Sequence, residues 1–240
     1  MPNESNLNDN FWKWFGDSKM VRRDGKPIKF YHTTYNKFNV FEPISFKNGK
    51  AVVDYEKGRE QYYFTRHRSW AENYADEEFS KKQQKNMKIM EVYLKCENPL
   101  IVLPLHKTFN QWLEWFHTKG INISAEELYP IYSNIPFISD KDYLNKRFVN
   151  EKTKNWFIDY VLEEIDTKDI SFWQLIYNDT NKFKKILKKY GYDSVIIRDT
   201  NRGGTSHNLT VMVFNSNQIK SVDNNGEWSI SSNNINENKN

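Results

Sequence analysis

Short β-patterned runs at both flanks of the chain, a helix-patterned block between them, and no regular alternation of strand with helix predict an α+β fold. The implied sheet is antiparallel and built from both ends of the chain, with a large helical insertion over about residues 105–190. The whole reads as one domain over 11–228, between polar, Asn-rich tails at 1–10 and 229–240 whose composition predicts disorder.

Each element has its own signal. Asn8 and Asp9 stand where an N-cap belongs, Phe11, Trp12 and Phe15 follow on one face, and Gly16 ends the helix. Asp24-Gly25 reads as a tight turn. Ile28–His32 and Gln61–Thr65 read as strands framing an irregular stretch. Ser69 with Glu72 forms a capping-box pattern at the head of a helix over Ser69–Phe79. Ile89–Lys95 and Leu100–Leu103 read as strands parted by Glu97-Asn98-Pro99. The period then changes: Phe109, Trp112, Leu113 and Phe116 fall at i, i+3, i+4 and i+7. Phe183, Ile186, Leu187 and Tyr190 repeat the pattern ahead of Gly191 as the C′ residue. Trp156–Ile165, and Phe172–Tyr177 behind Ser171 as N-cap, are two more helices. Ser194–Arg198, Leu209–Phe214 and Gln218–Val222 return to strand character, the first two joined by the Gly-containing loop Thr200–Asn208.

Composition narrows the function classes. At 240 residues and 38% hydrophobic the chain is long enough to bury a core without staples, and its single cysteine, Cys96, excludes an intrachain disulfide and any multi-thiolate zinc site. With no apolar start to act as a secretion signal, a reducing cytoplasm is the expected compartment. No apolar run approaches the roughly 20 residues a membrane-spanning helix requires. A net charge of +4 suits phosphate-bearing ligands and is weaker than dedicated nucleic-acid binders carry. Eight Trp and fourteen Tyr supply many flat rings, for core packing first and ligand stacking second.

No Walker loop, dinucleotide fingerprint, His-Glu-x-x-His or nucleophile elbow occurs, and the scattered histidines fit no metal site. Three strings instead put polar or aromatic groups at strand ends: Tyr31-His32-Thr33-Thr34, Tyr63-Phe64-Thr65 with Tyr74, and Thr210–Gln218. They belong to an ordered series. Trp14-Phe15-Gly16-Asp17-Ser18, Gly25-Lys26-Pro27 and Tyr31-His32-Thr33-Thr34 come first, then Tyr63-Phe64-Thr65, Ala71-Glu72-Asn73-Tyr74 and Val92-Tyr93-Leu94 with Asn98-Pro99-Leu100. Gly191-Tyr192-Asp193-Ser194-Val195-Ile196 and Val213-Phe214-Asn215-Ser216-Asn217-Gln218-Ile219-Lys220-Ser221 close it. In this order the series resembles the ADP-ribosyltransferase domains of phage and mobile-element polyvalent proteins, in the diphtheria-toxin and poly(ADP-ribose)-polymerase-like clade. The likeness covers both flanks and not the helical block.

The resemblance implies an ADP-ribosyltransferase-like sheet core, NAD as co-substrate without a metal, and a His-Tyr-Glu set spread over separate strands. His32 matches the histidine that holds NAD ribose hydroxyls; a neutral imidazole has one donor and one acceptor to offer. Tyr63 matches the tyrosine, and Tyr74 falls where a second ring would complete a sandwich around nicotinamide. Strand alternation puts Tyr62 and Tyr63 on opposite faces, so one of the two can line a cleft, and the motif assigns it to Tyr63. Thr33 stands where the family commonly has Gly, Thr34 follows it in the cofactor-contacting string, and Ala71 stands where polymerase relatives place a small hydroxyl residue.

The third position departs. Val211-Met212-Val213-Phe214 on the family's strand puts Thr210 where the glutamate is expected. A threonine holds a ribose hydroxyl but cannot offset the positive charge that develops as the glycosidic bond breaks. His207 and Glu227 are the neighbouring groups offered in its place, and Arg22, Arg23, Arg66 and Arg68 are candidates to meet a pyrophosphate or an anionic acceptor. The activity implied is slow mono-ADP-ribosylation of a macromolecule, a protein side chain first and a nucleic acid second, by a cytoplasmic effector acting in phage–host conflict or as a toxin. The alternatives are a catalytically silent binding module on the same fold and an NAD glycohydrolase.

Overall fold

The computed structural model describes residues 7–47, 50–55, 58–59, 61–78, 85–103, 106–125, 127–128, 131, 170–178, 180–200, 207–224 and 227–237. The chain forms two compact units, one from Met1–Ile101 with Tyr192–Asn240 and the other from Val102–Gly191.

The first unit opens with α1 (Asp9–Phe15), capped by Asn8, whose side chain accepts from the Phe11 N–H at 3.0 Å. Gly16 closes it at φ 56°, a conformation that a side chain would strain. The strands are β1 (Phe30–Thr34), β2 (Ile44–Lys47), β3 (Lys50–Val53), β4 (Tyr62–Thr65), β5 (Lys88–Leu94) and β6 (Pro99–Val102), with α2 (Arg68–Glu78) between β4 and β5. β2 and β3 form a hairpin with Ile44 opposite Val53, inside the stretch the sequence left irregular. Its apolar Ile44 and Val53 are exposed, so no buried period marks it. α2 begins at Arg68 rather than at a Ser69 cap, and Glu72 pairs with Arg68 at 3.1 Å.

In the second unit β7 (His106–Lys107) pairs antiparallel with β8 (Ile170–Ser171). α3 (Phe109–Thr118) starts with a capping box between Thr108 and Gln111, and α4 (Phe172–Asn178) and α5 (Thr180–Lys189) follow β8. Ser171 accepts from the Gln174 N–H at 3.2 Å, which satisfies a helix-end donor as the sequence predicts. Phe109, Trp112, Phe116, Phe172 and Phe183 are fully or almost fully buried, and the Trp112 indole donates to the Ile170 carbonyl at 2.9 Å. The helix expected over Trp156–Ile165 lies outside the described residues.

Three strands complete the first unit: β9 (Ser194–Thr200), β10 (His207–Val213) and β11 (Ile219–Ser221). The seven-stranded sheet runs β11-β5-β1-β4-β10-β9-β6. The pairs from β11 through β9 are antiparallel. One face carries Phe30, Phe64, Val92, Val211 and Val213 into a core shared with Phe11, Trp14, Phe15, Trp228 and Ile235. The other face receives α2, where the Thr33 hydroxyl donates to the Ala71 carbonyl and Arg68 reaches Glu91 at 3.2 Å.

Much of the family-like series ties the sheet's ends together. The Gln218 side chain accepts from Phe214 and Asn215 N–H at 3.0 and 2.9 Å and donates to the Lys95 and Asp193 carbonyls at 2.8 and 3.2 Å. Ser18 donates to the Leu94 carbonyl and accepts from the Cys96 N–H, both at 3.0 Å, and Trp14 donates to the Asn217 carbonyl at 2.9 Å.

The stretch expected as a C-terminal tail is packed through Glu237. Ile235 is fully buried, its N–H donates to Asn39 and its carbonyl accepts from Ser221. The fully buried Lys220 ammonium donates to the Ser232 and Asn234 carbonyls and to Glu237 at 2.9 Å. Glu237 also accepts from the Ser229 N–H at 2.7 Å. Polar composition hid this because the buried partner is a lysine, a residue normally read as surface. Burial pushes Lys220 below its ordinary range against the pull of Glu237. Burial works upward on Glu237, but hydrogen bonds from Lys220, Ser232 and Ser229 with the Lys220 charge hold its carboxyl below 4.5. The lowered carboxyl contributes stability that is complete above about 4.5 and lost as pH falls through the folded value. Lys220→Met is expected to cost about 3–5 kcal/mol in urea unfolding by leaving Glu237 unpaired, and Glu237→Gln added to it to recover part of that. A loss below about 1 kcal/mol would show that the pin is dispensable.

Candidate active site

The strands that carry His32, Tyr63 and Thr210 are neighbours, in the order β1-β4-β10, at the middle of the sheet. Their ladders are unequal. β1 pairs with β5 along its whole length, from Phe30 opposite Val92 to Thr34 opposite Lys88. With β4 it shares one register pair among the described residues, Tyr31 opposite Thr65. β4 in turn pairs with β10 along its length, placing Thr65 opposite Thr210 and Tyr63 opposite Met212.

Past the Tyr31–Thr65 pair the His32 imidazole takes over from the ladder. Its Nδ1 lies 2.9 Å from the Tyr63 carbonyl oxygen. A carbonyl oxygen only accepts, so Nδ1 carries the proton and Nε2 presents the lone pair of the neutral ring. The ring packs against Phe41 at 5.0 Å and Phe64 at 5.4 Å between centroids. That burial lowers the His32 pKa, opposed by the bond to Tyr63, so the imidazole is neutral at pH 7.

Alternation sorts the other groups. Phe30, His32 and Thr34 share one side of β1, with Tyr62 and Phe64 of β4; Tyr31 and Thr33 share the other, with Tyr63 and Thr65. The structure therefore joins His32 to the backbone of Tyr63 while the Tyr63 phenol points to the α2 side. There the Tyr63 hydroxyl donates to Gln61 at 2.8 Å. Ala71 is buried against β1, and Tyr74 stands 57% exposed on the same helix. Thr33 spends its hydroxyl on the Ala71 carbonyl. Thr34 is nearly buried on the His32 side, accepting from the Asn36 N–H at 3.1 Å.

Thr210 lies on the Tyr63 side and is half-buried. Beside it is a residue that the sequence reading missed. Asn208, 2% exposed, accepts from the Thr65 hydroxyl at 2.8 Å and donates to the Thr210 hydroxyl at 3.3 Å. It lies two residues before Thr210, so strand alternation carried one step back would have found it. The relay Thr65–Asn208–Thr210 is neutral. Of the groups offered in place of the glutamate, Glu227 is exposed, and the His207 side chain and most of the loop before it lie outside the described residues. Among the arginines, Arg68 is engaged by Glu72 and Glu91, and Arg22 sits 3.5 Å from Asp24. Among the described residues no group of three or more His, Cys, Asp or Glu is placed to hold a metal ion, and no helix is long and apolar enough to cross a membrane.

A central antiparallel sheet with an opening between two strands, and histidine, tyrosine and threonine on three adjacent strands, is compatible with an ADP-ribosyltransferase fold. The family described as ADP-ribosyltransferase in polyvalent proteins matches residues 22–229, and the chain belongs to that family. Searches of curated proteins and of solved structures find no match. The family's activity is ADP-ribosyl transfer, with NAD as the substrate that supplies the group.

The His32 bond makes a pH prediction. Protonation is disfavoured in the fold, so the stability that His32 contributes is complete above 6.5 and declines as pH drops from 6.5 to the lowered folded value. NMR titration should give a midpoint below 6.5 and the Nδ1–H tautomer. His32→Ala should cost about 1–3 kcal/mol by orphaning the Tyr63 carbonyl. A midpoint above 6.5 would contradict the burial of the ring.

Proposed function

We propose that the protein is a mono-ADP-ribosyltransferase that cleaves NAD and passes ADP-ribose to a macromolecular acceptor, a protein side chain before a nucleic acid, as a cytoplasmic effector in phage–host conflict or intoxication. The observation that carries this reading is the adjacency of the strands bearing His32, Tyr63 and Thr210 within the span that matches the family. Tyr63 and Tyr74 stack the nicotinamide from the α2 side, each such contact being worth about 0.5–1.5 kcal/mol beyond burial. Thr210, held by Asn208, takes a hydroxyl of the nicotinamide ribose. His32 positions β4 through the Tyr63 carbonyl, and its Nε2 lone pair is left to accept from a ribose hydroxyl of NAD.

Transfer breaks the bond between the ribose C1′ and the nicotinamide nitrogen. Its electron pair leaves with nicotinamide, and the acceptor's lone pair closes on C1′ as the acceptor gives up a proton. Among the described residues the positive charge between these events meets the neutral relay of Thr65, Asn208 and Thr210, so the rate is expected to be about 10²–10³ below that of a site with a carboxylate. The same neutrality supports a second reading, a module that binds NAD or ADP-ribose and turns over nothing.

Two measurements decide between them. With NAD labelled in the ADP-ribose half and host lysate, label is expected on macromolecules with stoichiometric release of nicotinamide. Free ADP-ribose alone would mean hydrolysis, and NAD binding by calorimetry without release would leave the binding module. Thr210→Glu is expected to raise nicotinamide release by about 10² or more, and an unchanged rate would remove Thr210 from the third position.

A further inference from the structure

A concavity opens on the side of β4 that carries Tyr62, away from Tyr63 and Thr210. It holds about 270 Å³, enough for one long side chain, and is walled by the aromatic rings of Phe41, Tyr55, Tyr62 and Phe214 with Glu42 and Asn217 between them. Of all its lining groups only Glu42 carries a charge at neutral pH. One carboxylate oxygen accepts from the Tyr55 hydroxyl at 2.6 Å, and Glu42 makes no ion pair among the described residues. That bond, with slight desolvation and the Glu42 charge behind it, raises the Tyr55 pKa, so the phenol remains the donor.

The frame around the carboxylate is fixed by backbone. The Asp54 N–H donates to the Pro43 carbonyl at 2.9 Å, and the Gly58 N–H donates to the Asp54 carbonyl at 2.8 Å. A Cβ at Gly58 would collide with that same Asp54 oxygen, so the close approach needs glycine. Beside the opening, Ile44 and Val53 face each other across the hairpin and remain 39% and 49% exposed. An uncompensated carboxylate between aromatic faces attracts a cation twice, through charge-assisted hydrogen bonds and through the ring quadrupoles. A nucleobase would use the rings but gain less from the charge.

We propose that this cleft is a recognition subsite for the basic side chain, arginine before lysine, of a partner polypeptide whose adjoining apolar residue rests on Ile44 and Val53. Arginine comes first because its planar guanidinium offers paired donors to the carboxylate and a flat face to the rings. The inference deepens the proposed function, as the place where an acceptor protein is gripped, but its test needs no NAD. Binding here would survive even if the protein transferred nothing, so the two readings fail separately.

The test is an NMR titration of the full chain with the peptide acetyl-Gly-Arg-Leu-Gly-amide and with its citrulline counterpart, which keeps the shape and loses the charge. Shifts are expected at Glu42, Tyr55, Val53 and Asn217, with the citrulline peptide weaker by about tenfold or more. Glu42→Gln, which keeps an acceptor for the Tyr55 hydroxyl, is expected to lose a similar factor while the remaining spectrum is unchanged. Tyr55→Ala, at an exposed position, is expected to weaken the arginine peptide and leave the citrulline peptide nearly unaffected. Equal binding of the two peptides, full affinity in Glu42→Gln, stronger shifts with guanosine than with the arginine peptide, or no shifts at millimolar peptide would each overturn the proposal.

Discussion

The bond from the His32 imidazole to the Tyr63 carbonyl is what lets the centre of this sheet be open and still hold. β1 has a complete ladder on its β5 side and one register pair on its β4 side. A buried carbonyl left without a donor costs about 1–3 kcal/mol, so the opening needs a replacement donor within the gap. A histidine supplies it from the strand that has drawn away, and being neutral it adds no charge to an apolar surround of Phe41 and Phe64. The consequence is directional: Nδ1 is committed to the fold, and the single remaining nitrogen is an acceptor.

The rest of the first unit keeps the edges of that opening from drifting. Gln218 gathers the ends of β5, β9 and β10 by satisfying four backbone groups, and Ser18 and Trp14 fasten the helix-bearing start of the chain to the same corner. On the far side of the sheet Lys220 anchors a strap that crosses from Ser229 to Glu237 and buries Ile235 in the main core. Trp228, at the entry to the strap, takes φ 51°, a left-handed conformation that costs roughly 1–2 kcal/mol for a residue with a Cβ. Its ring packs edge-to-face against Phe11 at 4.8 Å and tilted against Trp14 at 5.7 Å, and burial of a surface that large outweighs the strain.

What could be read from the sequence follows from range. The Asn8 cap, the Ser171 cap, the Asp24-Gly25 turn and the strands of both flanks are local, and each is found at or within a few residues of its expected place. The ordered strings gave the family because order survives without knowing any register. Which side of the sheet His32 shares with which tyrosine is a parity question between β1 and β4, strands some thirty residues apart, and a shift of one residue reverses the answer. No sequence pattern fixes that parity; here Tyr31 opposite Thr65 does. The C-terminal strap was missed for a related reason: its partner is a fully buried lysine, and the bond that buries it closes between residues 220 and 237.

Thr210 is better understood from its neighbours than from its own side chain. Thr65 donates to Asn208, which leaves the Asn208 amide N–H₂ pointed at residue 210. A nearly buried amide oriented as a donor toward one position favours an acceptor there, and an anion more than a hydroxyl. The half-buried site would partly desolvate that anion, a cost that one amide and one hydroxyl relay offset only in part. Threonine accepts the same hydrogen bond without that cost. The hydrogen-bonding frame for a carboxylate is thus present at residue 210 and the charge is absent, and under the proposed function that withholds the term that most lowers the barrier.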